Sequence, residues 1–157
     1  MTAFRWLDHF AETLIWVPRL VLLFSLAALL YYASDRQAPY EVISNDAAEG
    51  RPGERVVLHA RVRRDMSRSC EVRLSRQIVD ATGVVHSSDD AHLSAVALAE
   101  LEARSPGKAH IAIDIPANAA SGPAVLLTSR HYVCNKVHRL WPITHTTAMP
   151  FMVLPRS

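Results

Sequence analysis

The sequence predicts a mainly β protein, an antiparallel β-sandwich preceded by one N-terminal transmembrane α-helix. Three observations carry this reading. The apolar excess of the 157-residue chain is concentrated between Leu14 and Ala33. Beyond residue 50, apolar and polar residues alternate with period two in several short runs. Turn signals separate those runs at intervals of roughly 8–12 residues, the spacing of a sandwich.

The first element is the apolar run LIWVPRLVLLFSLAALLYYA, in which Arg19 is the lone charge. A hydrocarbon core of ~30 Å needs about 20 such residues as helix. Arg19 lies near the N-terminal edge, where its stem can snorkel to the headgroups. Pro18 sits at the same edge, and Tyr31 and Tyr32 mark the other end as interfacial aromatics. These residues predict an N-terminal cytoplasmic or interfacial segment over 1–13, a signal anchor in the lipid bilayer over 14–34, a linker with a possible first strand over 35–50, and the β-domain over 51–157. A cleaved signal peptide is the competing reading, because Leu20–Ala33 has the length of its apolar region. Against it, Tyr31 fills the −3 position from Ala33, and the long lead carries Asp8 and Glu12. A buried core helix is a third reading. Phe4, Leu7, Phe10 and Leu14 recur at helical spacing, which fits an interfacial amphipathic helix, a contact with a partner's membrane helix, or an extension of the span. Arg5 and Arg19 on one side, against Arg36 beside Asp35 on the other, place the N-terminus inside. The expected location is the inner (cytoplasmic) membrane, with the C-terminal domain periplasmic or extracellular.

The remaining elements follow in order. A first strand is expected near Tyr40 to Ile43. After the Pro52-Gly53 turn, Val56, Leu58, Ala60 and Val62 alternate with His59, Arg61 and Arg63. Val72, Leu74 and Ile78 mark the next strand, which ends at Asp80-Ala81-Thr82-Gly83. Ser94 to Ala103 has a helical composition in a strand's position, and reads as a strand or one to two helical turns. Ile111, Ile113 and Ile115 give the clearest alternation, and Pro116 ends it. Ser121-Gly122-Pro123 turns into a long strand from Ala124 to Cys134. A final strand is expected over Pro150 to Leu154.

The passage Ile113-x-Ile115-Pro116, then Ser121-Gly122-Pro123 and a long strand, resembles the E-to-F region of immunoglobulin-like and fibronectin-type-III-like domains. Tyr132-Val133-Cys134 resembles the Tyr-x-Cys of the immunoglobulin F strand. The tryptophan expected on strand C is absent, and Trp141 follows Cys134 instead. The resemblance covers about two-thirds of the chain and implies a fold, not a function. It makes Cys70 the opening of strand C and Cys134 the close of strand F. Those strands are antiparallel neighbours, so a Cys70–Cys134 disulfide is expected in an exported domain. Such a bond would contribute roughly 2–4 kcal/mol. One tension stands: Cys134 alternates with Leu126, Thr128, Arg130 and Tyr132, a less apolar set than Val125, Leu127 and Val133. A bulge would reconcile the faces. Two reduced thiols in a cytoplasmic domain are the rival reading.

Formal net charge is +2, too even for a nucleic-acid binder, so no nucleic acid is expected as a partner. There is no G-x-S-x-G, H-E-x-x-H, C-x-x-C or phosphate-loop pattern, so no enzymatic activity and no cofactor are expected. Arg61, Arg63, Arg64, Arg68, Arg73 and Arg76 lie on two consecutive strands and their loop. They form either one basic patch or a solvated face balanced by Glu54, Asp65 and Glu71. Leu140, Trp141, Pro142 and Ile143 form an apolar loop tip, where a tryptophan is a typical interface anchor; the other reading folds Trp141 back over the core. The expected partner-binding residues are therefore Leu140, Trp141, Pro142, Ile143, Arg61, Arg63, Arg64 and Arg73. The expected role is a binding or assembly module in an envelope or membrane complex, with a protein partner. Two alternatives stand beside it. One is a copper or zinc carrier using His131, His138, His145 and Met149, with Cys134 and Met152 nearby. The other is an accessory subunit acting through its membrane helix. The cluster His86, Asp89, Asp90 and His92 is a second metal candidate or a solvated loop.

Overall fold

A computed structural model describes residues 3–156, with side chains from Trp16 onward. The chain divides into two compact units, Met1–Arg36 and Gln37–Ser157.

The first unit is one helix, α1 (Ala3–Ser34), with Pro18 inside it. The lead and the apolar run are thus continuous helix. The side chains of Phe4, Leu7, Phe10 and Leu14 lie outside the described residues. Trp16–Ser34 is long and apolar enough to cross a membrane, and none of it is buried. Its 19 residues span about 28 Å at 1.5 Å each. By length and composition the segment suits a membrane span or a signal sequence alike. The Arg19 guanidinium lies 5.6 Å from the centre of the Trp16 ring, one turn back. Tyr31 and Tyr32 meet edge-to-face at 5.6 Å.

The second unit is mainly β. One open sheet orders β1 (Tyr40–Asn45), β3 (Arg55–Arg64) and β7 (Lys108–Asp114) side by side. The other orders β2 (Glu49–Gly50), β9 (Ile143–Val153), β8 (Gly122–Val133), β4 (Glu71–Val79) and β5 (Val85–Ser87), and β6 (Ala91–Leu93) also pairs with β4. All pairings are antiparallel except β2 with β9. Leu58, Ala60 and Val62 of β3 and Ile113 of β7 meet Ile78, Leu126, Met149, Phe151 and Val153 of the larger sheet in one buried cluster. The two sheets therefore share a core, and alternation along β3, β7, β8 and β9 supplies most of it.

Two elements differ from expectation. The stretch after Ser94 is a helix, α2 (Ala95–Arg104), longer than one or two turns. Ser94 is its N-cap, accepting a bond from the Ala97 amide at 3.2 Å. The last strand begins at Ile143, not Pro150, and runs eleven residues. His145, Thr146 and Thr147 disguise its first half, because polar residues there occupy both faces. Pro150 is tolerated because β2 pairs with β9 only at Met152 and Val153, leaving Pro150 an open edge.

Cys70 and Cys134 are joined in a disulfide, with Cα atoms 4.1 Å apart. The β4–β8 register pairs Glu71 with Val133 and Val72 with Tyr132, so the next positions outward are the two cysteines. The tension over faces dissolves without a bulge. The less apolar set is the buried one: Leu126, Thr128, Arg130 and Tyr132 all point into the domain. Val125, Leu127 and Val133 form the half-buried outer face of β8. The register shift that does occur lies in β1, between Val42 and Ser44.

Candidate functional site

The inward positions of four strands change character along their length. On β3 the series is Leu58, Ala60, Val62, then Arg64. On β4 it is Ile78, then Arg76, Leu74 and Val72. On β8 it is Ala124, Leu126, then Thr128, Arg130 and Tyr132. On β9 it is Val153, Phe151, Met149, then Thr147, His145 and Ile143. At the disulfide end the two sheets no longer close on each other with aliphatic side chains. A cavity of about 220 Å³ remains there, walled on one side by α2.

Arg130 is the centre of this cavity's polar side. It is 4 % exposed. Its Nη1 donates to Thr147 Oγ1 at 2.6 Å, and its guanidinium sits 4.4 Å from the centre of the Tyr40 ring. Arg64 approaches the same ring at 5.5 Å. Burial pulls the Arg130 pKa below its ordinary 12.5, and the Arg76 charge adds to the fall, while Tyr40 and Tyr132 oppose it. Arg64 has a carboxylate partner, Glu102 of α2, and both side chains are largely buried. Glu102 also accepts the Gly107 amide at 3.0 Å, which tethers the C-terminal end of α2 over the cavity. Among the described residues no carboxylate pairs with Arg130 or Arg76. Among the described residues, four buried polar atoms lack hydrogen-bond partners, namely Arg76 Nε, Thr128 Oγ1, Tyr132 Oη and His145 Nδ1. Burial raises the Tyr132 pKa, so its phenol keeps its proton and remains a donor. Unsatisfied buried groups cost about 1–3 kcal/mol each, so such a cluster calls for an explanation.

The opposite end of the domain holds a buried charge of another kind. Asp80 Oδ1 accepts from the Thr82 and Val84 amides and the Thr82 hydroxyl. Its Oδ2 meets His86 Nε2 at 3.0 Å and the Ala120 amide at 3.1 Å. The His86 bond, then the Ala120 and Thr82 bonds, hold its carboxyl well below the usual carboxylate range against the pull of desolvation. Asp80 ties the turn after β4 to the loop before β8. It is a structural hub.

The sequence-predicted residues are dispersed. Arg61 and Arg63 lie on the outer face of the three-stranded sheet, bonded to Ser44 and Glu41. Arg73 lies on the outer face of the other sheet, in register with His131 and His92. One continuous patch of Arg61, Arg63, Arg64 and Arg73 does not form, because β3 and β4 belong to different sheets and Arg64 points inward. Leu140 is 91 % exposed and Trp141 61 % exposed, on a loop that follows a 3₁₀ turn at Val137–Arg139. His138 is buried beneath that turn, its amide bonded to Asn135 Oδ1 at 3.0 Å. Ile143 does not belong to the exposed tip. It opens β9 on the inward side and packs with Val72 and Tyr132.

The proposed metal ligands do not converge. His131 faces outward and bonds Thr144, His145 faces inward, Met149 is in the closed core and Cys134 is in the disulfide. Among the described residues no three His, Cys, Asp or Glu side chains form a metal-sized group.

The sequence reading passed over Arg130, Thr128 and Tyr132. The signal that finds them is the disulfide itself. If Cys134 faces Cys70 on the inward side, period two forces Tyr132, Arg130 and Thr128 inward as well.

No family model matches the sequence, and no curated protein matches it. A solved structure, the Pseudomonas fluorescens alkylpurine DNA glycosylase AlkC bound to DNA containing an abasic site analog, is similar at 13 % identity and a TM-score of 0.36. The similarity covers 80 % of this chain and 34 % of that one, so the chain spans about a third of that protein's length. That protein is an enzyme, so the sequence-based exclusion of enzymatic activity is withdrawn. A likeness this distant brings no activity to the present chain.

Proposed function

We propose that the chain is a single-pass inner-membrane protein with its N-terminus in the cytoplasm. Its second unit is an immunoglobulin-like β-sandwich, held in the periplasm or outside the cell. That domain acts as a binding or assembly module in a membrane or envelope complex. The observation that carries this reading is the exposed Leu140–Trp141 tip at the disulfide end of the domain. A large apolar pair held on a short, pinned turn presents a rigid anchor at low entropic cost. The disulfide supports an oxidising compartment, and α1 supplies the membrane tether.

The test is affinity purification of tagged full-length protein in mild detergent, with crosslinks mapped on whatever co-elutes at stoichiometric yield. Trp141→Ala should lower partner recovery about tenfold or more while the melting temperature stays within about 2 °C. Unchanged recovery would remove the loop from the interface. Loss of recovery together with loss of folding would assign Trp141 to the core.

A further inference from the structure

We infer that the cavity at the disulfide end is a binding site for a small amphipathic monocarboxylate. The observations are independent of the Trp141 loop. Arg130 is 4 % exposed, without a carboxylate partner, and bears on a cavity of about 220 Å³. Around it stand three further groups with unused hydrogen-bonding capacity: Arg76 Nε, Thr128 Oγ1 and Tyr132 Oη. Thr128 and Tyr132 are each 1 % exposed, so bulk water does not serve them. A guanidinium with flanking hydroxyls matches a carboxylate, which accepts two parallel bonds from the fork and further bonds at its remaining lone pairs.

The opposite wall defines the rest of the ligand. Leu98 of α2 lines it with hydrocarbon, and Val72 and Leu74, in register with Tyr132 and Arg130 on the sheet face, extend that lining beside the polar groups. Leu101 lines it too and is still 43 % exposed. No residue of α2 is buried, although its Leu98 and Leu101 face the cavity. Leu98 already packs on the Val72–Tyr132–Ile143 cluster, and a filled cavity would add contacts to both leucines. The volume is larger than the ~150 Å³ of an engineered apolar cavity that takes up one benzene ring. That accommodates a carboxylate on a short chain or a single ring. Inorganic phosphate would satisfy the cations but leave the hydrocarbon wall bare.

Binding is measured by calorimetry on the full chain in lipid nanodiscs, with empty nanodiscs as the blank. The probes are hexanoate, benzoate, hexanol and inorganic phosphate. At least one of the two acids should bind saturably at one per chain, with hexanol and phosphate at least tenfold weaker. Arg130→Met removes the charge, and Leu98→Trp fills the cavity from a surface helix without touching the cations. Each should weaken acid binding at least tenfold. Failure of both acids to saturate would overturn the assignment. So would phosphate or hexanol binding as tightly as the acids, or undiminished binding by Leu98→Trp.

Discussion

The two ends of the β-domain share β3, β4, β8 and β9 and solve different problems. At the closed end, Leu58, Ile78, Ile113, Leu126, Met149 and Phe151 fill the space between the sheets. Asp80, buried there, has each carboxylate oxygen bonded. At the disulfide end the same inward positions carry Arg64, Arg76, Thr128, Arg130, Tyr132 and His145. There a cavity remains, and several polar atoms lack partners. A buried charge with every bond made holds loops together. A buried charge with bonds to spare is poised for a ligand. The covalent staple at Cys70–Cys134 sits at the end where packing is weakest.

This contrast ranks the expected effects of substitution. The largest belongs to the closed end. Leu126 is fully buried, and Leu126→Ala should cost about 2–5 kcal/mol in urea melts, with the m-value unchanged. A cost below ~1 kcal/mol would mean that this end is not the folding core. Next comes the staple. Replacing Cys70 and Cys134 by serine opens a loop of sequence separation 64 and should cost about 2–4 kcal/mol, matched by adding reductant to the native chain. Asp80→Asn should lower the melting temperature by about 5 °C or more at neutral pH. The sign of its pH dependence is set by a folded pKa below the ordinary 3.8. Its contribution is complete above about pH 4 and is lost as pH falls through the folded value. The native chain should therefore lose stability below pH 4 more steeply than Asp80→Asn, and parallel profiles would refute the hub. The smallest effects belong to the cavity. Tyr132→Phe and Thr128→Val remove hydroxyls that no protein group satisfies, so each should shift ligand-free stability by under ~0.5 kcal/mol. A loss of 2 kcal/mol or more from either would show an internal role for these hydroxyls.

Much of the closed end was legible in the sequence. The isoleucine alternation at Ile111, Ile113 and Ile115, and the turns at Pro52-Gly53 and Ser121-Gly122, report directly on a half-buried strand and its ends. The Cys70–Cys134 disulfide was legible too, through the strand order that the resemblance implied. The cavity was not. Hydrophobic periodicity finds a strand's inward face only where that face is apolar, and on β8 the inward face carries Thr128, Arg130 and Tyr132 while the outer face carries Val125, Leu127 and Val133. The binding half of the strand therefore reads as the wrong face. The same inversion hid the start of β9, where His145 and Thr147 point inward. The basic series Arg61 to Arg76 is compatible in sequence with one patch or a solvated face, and the sheet order separates Arg61 and Arg63 from Arg73.

The most direct test of this division is the melting temperature of Arg130→Met in the full chain, free of added anions, beside Leu126→Ala. If Arg130 is kept for a ligand, replacing a buried cation that has no carboxylate partner by a hydrocarbon of similar length leaves the melting temperature unchanged or raises it. If Arg130→Met instead falls as far as Leu126→Ala, Arg130 is part of the folding core and the two ends of the domain do the same work.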